Sequence, residues 1–309
     1  MITAVSLNPS IDRTIRFARF EIGATNRVLD IREDASGKGV NVALSAAKLG
    51  APVRCIGFLR QGGGAMVEDV LRRDSVPFEF VELPGSLRVN MKLFDQSTGI
   101  TTEVNQSGEP VDTEDLTRVT QLVAKYAQKG EYMAFCGSMP PGCPDDFYRS
   151  LIALANNAGC LCALDADRVP LIEAARAKPF LIKPNRMELE TLAGRLLQET
   201  ADILTAAREL IDNGVEIVLV SLSAEGALMV THEGAWRARA LEVEIRSTVG
   251  AGDAMLAGFF ASYAASESPL EAFRTSMASA AACVMTEGTQ PVERALVEAL
   301  ALRVMIKKI

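Results

Sequence analysis

Gly250-Ala251-Gly252-Asp253, inside RSTVGAGDAMLAGFF at 246–260, carries the strongest chemical signal in the chain. Glycines let a backbone approach an anion, and the free N–H groups at a helix start face it. Asp253 in that first turn could simply complement the helix dipole. That accounts for an acid but not for two flanking glycines. Beside transferring phosphates, the carboxylate can take the proton of an attacking hydroxyl, as an aspartate base does in phosphoryl transfer. Ser247-Thr248 just ahead read as the end of a strand.

Three other stretches have comparable chemistry. KPNRMELE (183–190) follows an apolar run and opens a helix, with Asn185 and Glu188 on one face. The pair could be a capping box. It could equally be two oxygen ligands orienting the water shell of magnesium, an ion that takes few protein ligands. SLSAEGALMV (221–230) places a glycine-containing turn after another strand, suited to lying against a nucleotide. NPSID puts Asp12 at the C-terminal end of the first strand, where open α/β sheets bind ligands.

DASGKGVNVA (34–43) looks like half of a phosphate-binding P-loop. The full motif needs G-x-x-x-x-G-K-[ST]. Here Arg32 stands in place of the first glycine, and Gly39 in place of the hydroxyl residue. What remains is Gly37-Lys38-Gly39 at the head of a helix-like run, an anion site of another kind.

These residues need a scaffold, and the chain can build one. Its 309 residues are 49% hydrophobic, enough for one large α/β domain. The formal charge of −7, with dispersed Lys and Arg, argues against nucleic acid and anionic membranes as partners. The first residues lack the marks of a signal peptide, and no apolar stretch approaches the ~20 residues of a membrane span. A soluble, cytoplasmic protein is expected. Cys55, Cys136, Cys143, Cys160, Cys162 and Cys283 lack C-x-x-C spacing, so core packing is expected rather than zinc or disulfides. The single histidine, His232, falls in a turn after a strand-like run.

Short apolar runs at 2–7, 53–59, 133–138, 161–166, 179–184 and 217–222 predict strands. Helical segments between them, such as 113–130 and 200–214, predict a parallel sheet covered on both faces. Three apolar helical segments close the chain. Residues 13–33 and 86–104 break the rhythm with strand-like alternation around turns at 22–25 and Gly99. They predict a small second sheet inserted at two points. Such a sheet needs a substrate or a partner subunit on its apolar face.

Taken together, the sequence resembles the PfkB/ribokinase family of carbohydrate kinases over nearly its whole length. DASGKGVNVA and STVGAGDAMLAGF look like the two family signatures, and FCGSMPPG and KPNRMELE match further blocks in order. NRV at 26–28, LRVNMKL at 87–93 and KPNRMELETLAGR look most like the 1-phosphofructokinase and tagatose-6-phosphate kinase subgroup, with the minor 6-phosphofructokinase close behind. The resemblance implies one domain over 1–309, a three-layer α/β/α sandwich with a β-sheet lid. It implies Asp253 as base and Gly250, Ala251 and Gly252 as the anion hole. Lys183, Asn185 and Glu188 would organise Mg-ATP, and Ser221, Gly226 and Thr248 would line the nucleotide site. Asp12, Gly37, Lys38, Gly39, Asn41 and Ser138 would hold the sugar, while Arg27, Lys38 and Arg88 grip its phosphate. Carbonyls of Ser247, Val249, Cys283, Thr286, Gly288 and Gln290 would take a potassium ion. Ser36, Ser223 and Asp167 depart from the family pattern.

The expected activity is ATP-dependent phosphorylation of a ketohexose phosphate, fructose 1-phosphate first among them, by a homodimer paired through its lids. A doubly wound dehydrogenase competes on fold grounds, but no G-x-G-x-x-G follows the first strand. A non-catalytic regulator that binds nucleotide and sugar phosphate is the other alternative.

Overall fold

The computed structural model describes residues 1–286 and 292–309. The chain begins with β1 (Ile2–Ser6), β2 (Ser10–Phe17), β3 (Val28–Ser36), α1 (Lys38–Lys48), β4 (Val53–Arg60), α2 (Gln61–Arg73) and β5 (Phe78–Ser86). It continues through β6 (Arg88–Asp95), β7 (Ile100–Asn105), α3 (Thr113–Tyr126), β8 (Tyr132–Cys136), α4 (Phe147–Asn157), β9 (Leu161–Asp165), α5 (Arg168–Ala175) and β10 (Leu181–Ile182). There follow α6 (Arg186–Ala193), α7 (Thr200–Asp212), β11 (Ile217–Ser221), β12 (Ala227–Thr231), β13 (Gly234–Ala238), α8 (Ala251–Ser266), α9 (Pro269–Val284), α10 (Arg294–Ala301) and β14 (Ile306–Lys308).

The large sheet has the order β14-β13-β12-β11-β10-β9-β8-β1-β4-β5. Neighbours from β5 to β11 are parallel. The last three strands add an antiparallel edge that the expectation of a parallel sheet did not include. His232-Glu233 forms the two-residue turn between β12 and β13, and His232 is exposed.

Both faces of the sheet are covered, so its central strands read as continuous apolar runs. Alternation still sorts their side chains. Tyr132, Ala134 and Cys136 of β8 join one core cluster with residues of α1, α8 and α9. Met133 and Phe135 join the other, with α3, α4 and α7. Cys160 and Cys162 are core residues, as expected. The helix α8 is apolar on every side because it lies inside one of these layers, against α1 and α9.

The lid is a four-stranded sheet in the order β3-β2-β6-β7. Its strands span Ser10–Ser36 and Arg88–Asn105, slightly wider than 13–33 and offset from 86–104. Asp12 is therefore not at the end of the first strand. Asn8-Pro9 interrupts the chain after β1, and Asp12 lies in β2, on the lid. Register places Asp12 beside Asn90 and Ile15 beside Leu93, with Ile31 on the other flank of Ile15. Alternation then divides the lid cleanly. Asp12, Asn90, Lys92, Glu103 and Asn105 line the cavity below it. Ile15, Ile31, Leu93 and Val104 share the opposite face, with Ile31 and Val104 both exposed.

Candidate active site

A cavity of about 740 Å³ runs between the lid and the C-terminal ends of β8 to β11. Such strand ends are where open α/β sheets hold ligands. Of the residues picked out in the sequence, Asp12, Gly37, Lys38, Asn41, Arg88, Ser138, Lys183, Asn185, Glu188, Ser221, Gly226, Thr248, Val249 and Gly250 through Asp253 line it.

Gly250 caps α8 with φ of 78°, a left-handed turn that suits glycine. Ser247-Thr248 do not end a strand, since the segment before α8 is irregular and is anchored by Arg246 and Ser247 N–H groups on the Val284 carbonyl. The N–H groups of Gly252 and Asp253 have no backbone partner among the described residues, so the helix start faces the cavity with free donors. The Asp253 carboxylate is 6% exposed and accepts a hydrogen bond from Asn41 Nδ2 at 2.7 Å. Burial, reinforced by the nearby Asp165 carboxylate, raises its pKa to about 6. That value suits a general base working at neutral pH.

Asp165 was not singled out from the sequence, although LCALDA places it at the end of a buried strand. Its Oδ1 accepts from Lys38 Nζ at 2.7 Å, and its Oδ2 lies 2.9 Å from Lys183 Nζ. Burial opposes its charge, but Lys183 and Lys38 overcome this and hold the carboxyl below its ordinary range. Lys38, expected at the phosphate end with Arg88, is thus tied to the transfer end.

On the lid side, Asp12 accepts from Asn90 Nδ2 at 3.0 Å and pairs with Lys92 at 2.5 Å. Lys92 and Asn90 were also missed. Their signal was the spacing of Arg88, Asn90 and Lys92, which alternation puts on one face of a strand. Arg88 donates to the Asn8 carbonyl at 3.0 Å and to Asn90 Oδ1 at 3.3 Å, with no carboxylate partner among the described residues.

Two expected ligands lie elsewhere. Gly39 does not line the cavity. A Cβ there would sit 2.7 Å from Ser6 Cβ, so the glycine serves the packing of α1 on β1. Arg27 is exposed in the loop before β3, outside the cavity lining.

Asn185 and Glu188 do form a capping box. Asn185 Oδ1 accepts from Glu188 N at 2.9 Å, and Glu188 Oε2 accepts from Asn185 N at 2.8 Å. Both also face the cavity, and burial with the neighbouring Asp165 raises the Glu188 pKa. Ser223 adopts φ of 51°, in the left-handed region that favours glycine. At the candidate potassium site, Cys283 Sγ lies 3.5 Å from the Val249 carbonyl and Thr286 Oγ1 donates to the Cys283 carbonyl at 2.8 Å. Gly288 and Gln290 lie outside the described residues.

The sequence profile described as pfkB family carbohydrate kinase matches residues 5–295. A 1-phosphofructokinase of Xanthomonas campestris is 36% identical over 261 residues, 83% of this chain and 82% of that one. A 1-phosphofructokinase of Escherichia coli is 33% identical over 304 residues, 98% and 97% of the two chains. Among solved structures, phosphofructokinase-2 of Escherichia coli, in complex with substrates and products, superposes with a TM-score of 0.92 at 27% identity and 98% coverage of both chains. A possible 1-phosphofructokinase of Thermotoga maritima gives 0.87 at 25% identity, covering 100% and 99%. The chain belongs to the pfkB family of carbohydrate kinases. Its activity is that of an ATP-dependent sugar-phosphate kinase, which takes a divalent metal ion with its nucleotide.

Proposed function

We propose that the protein transfers the terminal phosphoryl group of ATP to the 6-hydroxyl of fructose 1-phosphate, giving fructose 1,6-bisphosphate. The observation that carries this is Asp253, a buried carboxylate beside free helix N–H groups, in the same cavity as an arginine without an acidic partner. Arg88 takes the phosphate already on the sugar, since guanidinium donors fit two phosphate oxygens at once. Asp12, Asn90 and Asn41 hold the sugar hydroxyls. Asn41 Oδ1 is buried and has no hydrogen-bond partner among the described residues, so it is left to accept one. Asp253 removes the proton of the hydroxyl that attacks the γ-phosphorus. The N–H groups of Gly252 and Asp253 meet the charge on the migrating group. The choice of fructose 1-phosphate over fructose 6-phosphate or tagatose 6-phosphate rests on the named relatives.

The charge balance supports a divalent ion that enters with the nucleotide. Six carboxylates (Asp12, Glu103, Asp165, Asp167, Glu188, Asp253) and four cations (Lys38, Arg88, Lys92, Lys183) line the cavity. A polyphosphate can enter that acidic excess only with cations of its own. The described residues contain no cluster of three or more metal-ligating side chains. Magnesium, which keeps its waters, would reach Glu188 and Asn185 through them. When bound it neutralises phosphate charge. A potassium ion would sit on the carbonyls of Ser247, Val249, Cys283 and Thr286. One phosphofructokinase-2 structure from Escherichia coli is a complex with potassium.

The outward apolar face of the lid supports a homodimer paired through the lids. No helix among the described residues is long and apolar enough to cross a membrane. Steady-state ADP release with fructose 1-phosphate, fructose 6-phosphate, tagatose 6-phosphate and free fructose tests the activity. The highest kcat/KM is expected with fructose 1-phosphate. Binding of ATP and sugar phosphate without turnover would instead make the protein a regulator.

A further inference from the structure

We propose that Asp165 is a positioning residue for phosphoryl transfer, holding the ammonium groups of Lys38 and Lys183 side by side next to Asp253. The proposal rests on the kinase activity above and adds a residue to it.

Three observations converge on this carboxylate. It stands at the C-terminal end of β9, in the middle of the parallel strands, and is 1% exposed. Each of its oxygens meets a different lysine, Oδ1 with Lys38 at 2.7 Å and Oδ2 with Lys183 at 2.9 Å. The two lysines come from opposite parts of the site. Lys38 opens α1, next to the loop that lines the sugar side, whereas Lys183 leads into the α6 start on the nucleotide side. One buried carboxylate therefore joins the two halves of the cavity.

The joint lies at the reacting end. A Cβ on Gly252 would fall 3.1 Å from Lys183 Nζ, so that ammonium group lies against the backbone of the α8 start. Lys38 feels the charge of Asp253 as well as that of Asp165. Lysine is a flexible point charge on a long stem, and its ammonium group must be fixed to act at one place. Without Asp165 the two cations would repel each other. Each would then swing toward Asp253 or solvent, and the place where the migrating phosphoryl group meets positive charge would be lost. Displacements of about 1 Å at a reacting centre can cost ~10²-fold in rate. Oδ1 accepts a hydrogen bond from Lys38, whereas Oδ2 is held to Lys183 by charge at 2.9 Å and has no hydrogen bond among the described residues.

Asp253 is faced by Asp165 of β9, Lys38 and Asn41 of α1, and Lys183 after β10, with the thiols of Cys136 (β8) and Cys283 (α9) nearby. Removing the Asp165 charge takes away a carboxylate that raises the Asp253 pKa and frees two cations that lower it. The lost carboxylate sets the direction, and a lysine that turns toward Asp253 adds to it. The acid limb of the pH–rate profile should move to lower pH.

A mutant cycle tests the assignment, because a residue that acts through two lysines loses its effect when they are absent. Asp165→Asn in the otherwise natural chain is expected to lower kcat by ~10²-fold, with smaller changes in KM for either substrate. In the Lys38→Met, Lys183→Met background the same substitution should cost far less, giving strong non-additivity. The magnesium concentration for half-maximal rate should be unchanged by Asp165→Asn. An equal loss in both backgrounds, or a raised magnesium requirement, would mean that Asp165 acts directly and would overturn the proposal. If Asp165→Asn does not fold, as judged by circular dichroism, Asp165→Glu keeps the charge but displaces both lysines. It should remain folded and lose ~10-fold in kcat, and full activity would also overturn the proposal. A natural chain that turns over none of the sugar phosphates would sink the kinase activity itself, an outcome separate from the cycle.

Discussion

Burying Asp253 beside another carboxylate makes its ionised form costly in the native state. Its folded pKa of about 6 exceeds the ~3.9 of an unfolded aspartate, so the native chain binds more protons between those values. Stability from this group therefore falls as pH rises from about 4 to about 6, and at neutral pH the loss is complete at ~2–3 kcal/mol. Asp253→Asn removes that cost while keeping an acceptor for Asn41. We expect the variant to melt at a higher temperature at pH 7.5, with no such gain at pH 4. Its kcat should fall at least ~10²-fold with substrate binding retained. The natural enzyme should lose kcat/KM below about pH 6 as the base protonates. A pH-independent profile from 5 to 8 would remove Asp253 as the titrating base. Arg88 makes the opposite case, a half-buried cation held only by neutral acceptors. Arg88→Ala should cut kcat/KM for the sugar phosphate by ~10-fold or more and leave the poor activity on free fructose almost unchanged. Equal losses on both would show that Arg88 holds the lid and not the phosphate.

At the scale of elements, α6 separates structure from chemistry. Glutamine serves as well as glutamate at the third position of a capping box, so Glu188→Gln should preserve the helix start. We predict a melting temperature within a few degrees of the natural chain, together with a lower kcat and a raised magnesium requirement. Unchanged magnesium dependence would confine Glu188 to its capping role. Elements whose residues repeat a strong pattern were legible from sequence. The buried strands at 2–7, 53–59 and 133–138 became β1, β4 and β8, and the glycine-flanked Asp253 sits at a helix start. Less legible were strands with one wet face or an edge position. FEFVELPGS carries Glu79 and Glu82 on opposite faces and forms an edge strand, and β14 is only three residues long. Asp165 was hidden for a different reason. A lone acid closing an apolar run carries no local sign that two lysines, 127 residues before it and 18 after it, will converge on it. Asp12 was recognised but misplaced, because the break at Asn8-Pro9 transfers the chain between sheets without a composition change.

For the whole molecule, the lid has two faces with opposite requirements. The polar face must close over substrate, while Ile15, Ile31, Leu93 and Val104 share the other, with Ile31 and Val104 exposed. Pairing of two lids would cover these side chains and stiffen a sheet too thin to be stable alone. Ile31→Asp should shift the sedimentation coefficient from dimer toward monomer and raise KM for the sugar phosphate. An active monomer in the natural protein at assay concentration would exclude pairing as a requirement. The central claim is that one cavity fixes the sugar's own phosphate at the lid side and phosphorylates the hydroxyl at the far end. The most direct test is phosphorus and carbon NMR of the product formed from ATP and fructose 1-phosphate. A single new phosphate ester on C6, appearing in step with ADP, is the predicted result. ADP released without a new ester, or an ester on any other carbon, would contradict it.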